Sequence, residues 1–127
     1  MNDLIADLLA RIQNAIMRRK DNVTVINTKM NRGILDVLKK EQMIEDYAVS
    51  ENGREIDVAL LYKEGEPAIT SLKRISKSGQ RIYITSKNIK PIMNGRGIAI
   101  ISTSKGIMNG AVAKSSGLGG ELICEVW

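Results

Sequence analysis

The stretch Ile98-Ala99-Ile100-Ile101-Ser102-Thr103-Ser104-Lys105-Gly106 governs the reading of the chain. Four apolar, mostly β-branched residues predict a buried strand, because branched side chains pack well on a pleated surface. The strand runs directly into three hydroxyls, a lysine and a glycine. That combination makes a rigidly anchored polar tip. Hydroxyls donate and accept, lysine brings a cation, and glycine lets another backbone approach closely. Loops held on rigid scaffolds are where binding residues concentrate. Taken alone, the stretch fits an ordinary strand-to-turn boundary equally well, so the surrounding chain has to decide.

Upstream, Asn94-Gly95-Arg96-Gly97 reads as a turn feeding this strand, and 86–94 as irregular or a short helical turn limited by Pro91. Extended segments are expected at 69–75 and 80–85, separated by Ser76-Lys77-Ser78-Gly79. In the second of them, strand alternation puts Arg81, Tyr83 and Thr85 on one face and Ile82 and Ile84 on the other. A cation beside an aromatic on a strand face suits stacking on exposed bases. Downstream, 110–116 reads as a short helix capped by Asn109, and 121–127 as a closing strand. This half of the chain is mostly β.

The front half reads differently. From Asp3 to about Lys20, Ile5, Leu8, Leu9, Ile12 and Ile16 recur at helical spacing, with Asp3, Asp7, Arg11, Asn14 and Arg18 on the opposite face. A short strand at 23–26 follows, and Thr28 then caps a second helix over 29–41. Strands at 44–50 and 54–62 join through Asn52-Gly53, a strong hairpin signal. Lys63-Glu64-Gly65-Glu66-Pro67 has the composition of a linker. The expectation is therefore an α+β protein of two subdomains. Residues 1–63 form an N-terminal α+β unit, and 68–127 a mostly β unit carrying the main binding loop.

Composition excludes several classes of function. The 127 residues suit one compact domain or two small subdomains, and 43% apolar content supplies a core. Phenylalanine is absent, so that core is built from Ile, Leu, Val and Met. No segment approaches a membrane-spanning run. Histidine is also absent, which removes the commonest general base, the commonest metal ligand and every Ser-His or Cys-His pair. Gly95-Arg96-Gly97 precedes a strand rather than a helix, so it is no dinucleotide fingerprint. No catalytic residue, metal site or cofactor is expected. The lone Cys124 sits in an apolar run as an inert buried thiol, and a reducing compartment is the simplest home. Met1-Asn2-Asp3 lacks a signal-peptide pattern, which points to the cytoplasm. A net charge of +5 favours a polyanionic partner, and the composition of the 102–106 turn favours a shaped RNA.

Thr103-Ser104-Lys105-Gly106, preceded by Gly97-Ile98-Ala99-Ile100-Ile101-Ser102 and followed by Met108, resembles the signature of the small-ribosomal-subunit protein family called S-eight. The resemblance takes in Gly119-Gly120-Glu121-Leu122-Ile123-Cys124 and Lys73-Arg74-Ile75-Ser76-Lys77 with Gly79, Arg81 and Tyr83. At the front it covers Asp3, Ile5-Ala6-Asp7, Arg11-Ile12 and Asn14. It implies two packed α+β subdomains and direct binding to an irregular helix in the central domain of small-subunit ribosomal RNA, early in assembly. It further implies that Ser102, Thr103, Ser104, Lys105 and Gly106 meet the RNA beside Gly119, Gly120 and Glu121, with Arg81 and Tyr83 nearby. Lys29, Asp3 and Arg11 match a second RNA-contacting surface. Other implied partners are neighbouring small-subunit proteins, notably the fifth, and the protein's own messenger RNA. Leu4, Gln13 and Asn31 depart from the family pattern and thin the positive charge of the N-terminal surface. Asn109-Gly110 departs too, in a way expected to weaken the short helix start. A messenger-binding repressor and a protein–protein adaptor using the N-terminal helix face are the alternative functions.

Overall fold

In the computed structural model, which describes residues 3–127, the first apolar stripe forms α1 (Leu4–Met17). Met1 and Asn2, part of the start read for a leader, lie outside the described residues. The Asp3 carboxylate caps α1 by accepting from the Ala6 amide at 3.0 Å. Leu8, Leu9, Ile12, Ala15 and Ile16 are buried. Beyond β1 (Asn22–Ile26), the Thr28 hydroxyl accepts from the Asn31 amide at 3.0 Å and opens α2 (Lys29–Lys40). Both helices end in a left-handed residue that is not glycine, Arg19 after α1 and Gln42 after α2, each with φ 57°. The next amide then reaches back five residues, Lys20 to Ala15 and Met43 to Leu38, and satisfies a terminal carbonyl.

β2 (Ile44–Val49) and β3 (Glu55–Leu60) complete an antiparallel sheet in the order β1-β3-β2. Ile56, Val58 and Leu60 alternate inward, as the period-2 pattern requires, while α1 contacts β1 and α2 contacts β2. Asn31 corrects one expectation. Its side chain is 1% exposed, and its Nδ2 donates to the Ile26 carbonyl at 2.9 Å. It ties β1 to α2 from within the unit and is no part of the exposed N-terminal surface. Residues 62–67 form a tight hairpin of β4 (Tyr62–Lys63) and β5 (Glu66–Pro67), turning through Glu64 at φ 54° and Gly65 at φ 80°. Arg19 donates to the Gly65 carbonyl, so this turn is held by the end of α1. The first unit runs on to Thr70.

The second unit, Ser71–Trp127, is a five-stranded antiparallel sheet organised on β10 (Gly120–Val126). One edge of β10 pairs with β8 (Ile98–Thr103), which pairs in turn with β9 (Gly106–Asn109). The other edge takes β6 (Leu72–Arg74) and β7 (Tyr83–Ile84) in succession. α3 (Gly110–Ser115) contacts β8 and β9, and Ile89, Ala99, Ile101 and Ala113 form a buried cluster. β9 departs from the sequence expectation, which placed no strand between the turn and the helix at 110–116. Its Gly-Ile-Met-Asn is short and shows little alternation, so β8 decides its conformation by pairing with it. The start of α3 is capped, because Asn109 Oδ1 accepts from the Ala111 amide at 3.1 Å. Gly110 fits because a Cβ there would stand 3.1 Å from Ile89 and 3.2 Å from Ala99.

Candidate nucleic-acid interface

The 102–106 segment is the tip of the β8–β9 hairpin. Thr103 pairs with Gly106, and Ser104 and Lys105 form the two-residue loop. Gly106 takes φ +114°, a left-handed value that other residues rarely adopt, while a Cβ there would meet only open space. The Thr103 hydroxyl donates to the Gly106 carbonyl at 2.8 Å and accepts from the Lys105 amide at 3.1 Å. It therefore braces the turn from within. Ser104 and Lys105 are exposed, and Ser102 is half-buried. Two residues of the loop thus face solvent while the third hydroxyl keeps them in place.

Register carries this tip across the sheet. Tyr83 on β7 lies opposite Glu121 on β10, Glu121 opposite Ser102 on β8, and Ser102 opposite Ile107 on β9. Directly opposed residues share a face, so these four form one row over four strands. Tyr83 is 72% exposed and presents an aromatic face at one end of the row. Ile107 ends the row on the other side, and the hydroxyl-bearing turn projects just beyond it, past the Thr103–Gly106 pair.

The glycine pair makes that row possible. A Cβ on Gly119 would stand 2.5 Å from the Ile84 carbonyl oxygen and 3.0 Å from Thr85 Cα. One on Gly120 would overlap the Ser102 carbonyl oxygen. Both neighbours are backbone and cannot rotate away. The glycines thus let β10 run close between β7 and β8, which brings Glu121 between Tyr83 and Ser102.

Glu121 is held through one carboxylate oxygen. Its Oε2 accepts from the Ser76 hydroxyl and, at 2.9 Å, from Arg81 Nη1. Burial by itself would raise its pKa. The hydrogen bonds from Ser76 and Arg81, with the charges of Arg81 and Arg74, outweigh that and keep the carboxyl below the ordinary range. Ser76 is fully buried, and its oxygen also accepts from the Ile82 amide at 3.1 Å. Sequence reasoning gave Ser76 no role. Its partners lie six and 45 residues away, and no local pattern links them.

The first-unit candidates are placed as follows. Lys29 is exposed at the start of α2. Asp3 caps α1, and Arg11 bonds Asp7 at 2.9 Å and the Thr24 carbonyl at 3.2 Å. Asp3 and Arg11 therefore hold the protein's own backbone and side chains. Cys124 is buried, and burial pushes its thiol up to about 12, as expected for an inert core residue. Among the described residues no cluster of metal-ligating side chains forms, and no helix is long and apolar enough to cross a membrane.

The family model described as ribosomal protein S8 matches residues 3–127. The chain is 44% identical to small ribosomal subunit protein uS8c of Tupiella akineta, over 98% of both chains. It is 44% identical to small ribosomal subunit protein uS8 of Oleidesulfovibrio alaskensis, over 100% of this chain and 99% of the other. The uS8 of Maricaulis maris matches at 44% over 99% of this chain and 98% of the other. Such agreement along the entire length, with the turn and glycine pair built as above, means that the chain belongs to the ribosomal protein S8 family of structural, non-catalytic small-subunit components.

Proposed function

We propose that this protein binds the central domain of small-subunit ribosomal RNA directly and assists subunit assembly by holding an irregular RNA helix in shape. One observation carries the reading: the row Tyr83–Glu121–Ser102–Ile107 has the exposed Tyr83 at one end, and the exposed Ser104-Lys105-Gly106 turn projects just beyond the Ser102–Ile107 pair at the other. A splayed base stacks on Tyr83, sugar and base edges meet the Ser102 and Ser104 hydroxyls, and Lys105 meets phosphate. Glu121 serves chiefly to hold Arg81 in place rather than to read a base. Lys29, at the exposed start of α2, adds a phosphate contact from the first unit. The fifth small-subunit protein is a neighbour in the assembled particle.

Filter binding to transcribed small-subunit RNA tests this reading. The Thr103→Ala/Ser104→Ala double variant removes the brace and the exposed hydroxyl together. It should lose about tenfold in affinity, as expected for one lost hydrogen bond to a desolvated ligand together with a loosened turn, with its melting transition nearly unchanged. Wild-type affinity in that variant would remove the turn from the mechanism. Competition with the protein's own messenger separates assembly from translational repression through the same surface.

A further inference from the structure

The chain runs along one edge of β10 twice, as β6 opposite 124–126 and as β7 opposite 120–121. Between them, residues 77–81 leave the sheet. The Lys77 and Gln80 amides and carbonyls close that excursion on itself, at 3.1 and 3.0 Å. At its base the Ile75 and Ser76 amides donate to the Ile123 carbonyl, and the Leu122 amide donates to the Ile82 carbonyl. Ser76 stands where the excursion begins and Ile82 where it ends. One hydroxyl joins the two, accepting from the Ile82 amide and donating to Glu121. The Ser76 carbonyl takes the Arg74 guanidinium as well.

β7 is only two residues long, and so short a ladder does not by itself hold a strand in register. Arg81 and Tyr83 flank Ile82 on that segment. We infer that Ser76 is a positioning residue for RNA binding: its buried hydroxyl fixes the Glu121 carboxylate and the Ile82 amide together, and so presents Arg81 and Tyr83 to the RNA. The inference rests on the RNA-binding reading above. Ser76 itself is fully buried, so it acts through Glu121 and Ile82 and not by direct contact.

The test combines affinity for transcribed small-subunit RNA with a carbon-detected NMR titration of the Glu121 carboxyl. Ser76→Ala should bind about tenfold more weakly, the usual scale for freeing a group held by a charged hydrogen bond. Its Glu121 titration should move upward, because one donor to the charged form is gone while Arg81 and Arg74 still face it. An unmoved midpoint would mean that the Ser76 hydroxyl does not hold the Glu121 carboxylate, and would overturn the inference. Adding Glu121→Gln to Ser76→Ala should cost less than the two single losses multiplied, since they share the Ser76–Glu121 contact, while Glu121→Gln also loses the Arg81 ion pair. Unchanged affinity in Ser76→Ala, or losses that multiply in full, would overturn the inference. Should Ser76→Ala not fold, Glu121→Gln alone must still weaken binding several-fold, and wild-type affinity there overturns it equally. A wild-type protein that fails to bind the RNA would instead refute the reading beneath.

Discussion

Replacing Gly120 by alanine adds one methyl group where β10 passes between β7 and β8. The new Cβ would overlap the Ser102 carbonyl oxygen, and would stand 2.9 Å from the Ser102 carbonyl carbon and 3.1 Å from Thr103 Cα. All three atoms are backbone, so no change of rotamer relieves them. Relief requires β10 to draw away from β8 beside the Glu121–Ser102 pair. Overpacking by a methylene group costs about 1–3 kcal/mol in a well-packed site, and a clash against a hydrogen-bonded ladder belongs near ~3 kcal/mol. Gly79→Ala is the control. Its Cβ meets nothing within 4 Å, so the same chemical change should alter stability by no more than about 0.5 kcal/mol. Urea unfolding followed by Trp127 fluorescence measures both. Trp127 is the sole tryptophan, and its amide pairs with the Ser71 carbonyl at 3.1 Å inside the second unit. A lower midpoint at constant slope reports lost stability. Gly120→Ala as stable as Gly79→Ala would refute the close approach of β10 to β8, and with it the placement of Glu121 beside Ser102.

Three other expectations follow from particular residues. Gln42 ends α2 with φ 57°, so Gln42→Gly removes a left-handed strain of about 1–2 kcal/mol and, after the extra chain entropy of glycine, should stabilise by about 0.5–1 kcal/mol in thermal melting. Cys124, with its thiol pushed up to about 12 by burial, should resist a disulfide reagent near ~pH 8 in the folded protein and react fully in concentrated urea. Rapid labelling of the folded protein would contradict its burial. Lys105→Gln should lower the salt dependence of RNA affinity by about one unit of slope, the amount for one phosphate contact. An unchanged slope would place Lys105 off the RNA backbone.

The sequence by itself determined what depends on near neighbours and on composition. The Thr28 and Asn109 caps, the alternation of β3 and the Asn52-Gly53 turn all rest on interactions within a few residues. The absence of histidine excluded whole classes of chemistry without any coordinates. The resemblance to a ribosomal family was likewise legible, because it lay in ordered motifs along the chain. Tertiary structure alone decided the rest. Gly79 and Gly120 are the same letter, yet one faces open space and the other a carbonyl 18 residues away in sequence. Asn31 reads as a surface position until β1 and α2 enclose it. β9 becomes a strand because β8 offers it an edge, and Ser76 acquires a role because register brings Glu121 to its hydroxyl. The physical reason is common to all four. Period and capping are properties of the local backbone, whereas close approach and burial depend on strands that meet only after the chain has folded.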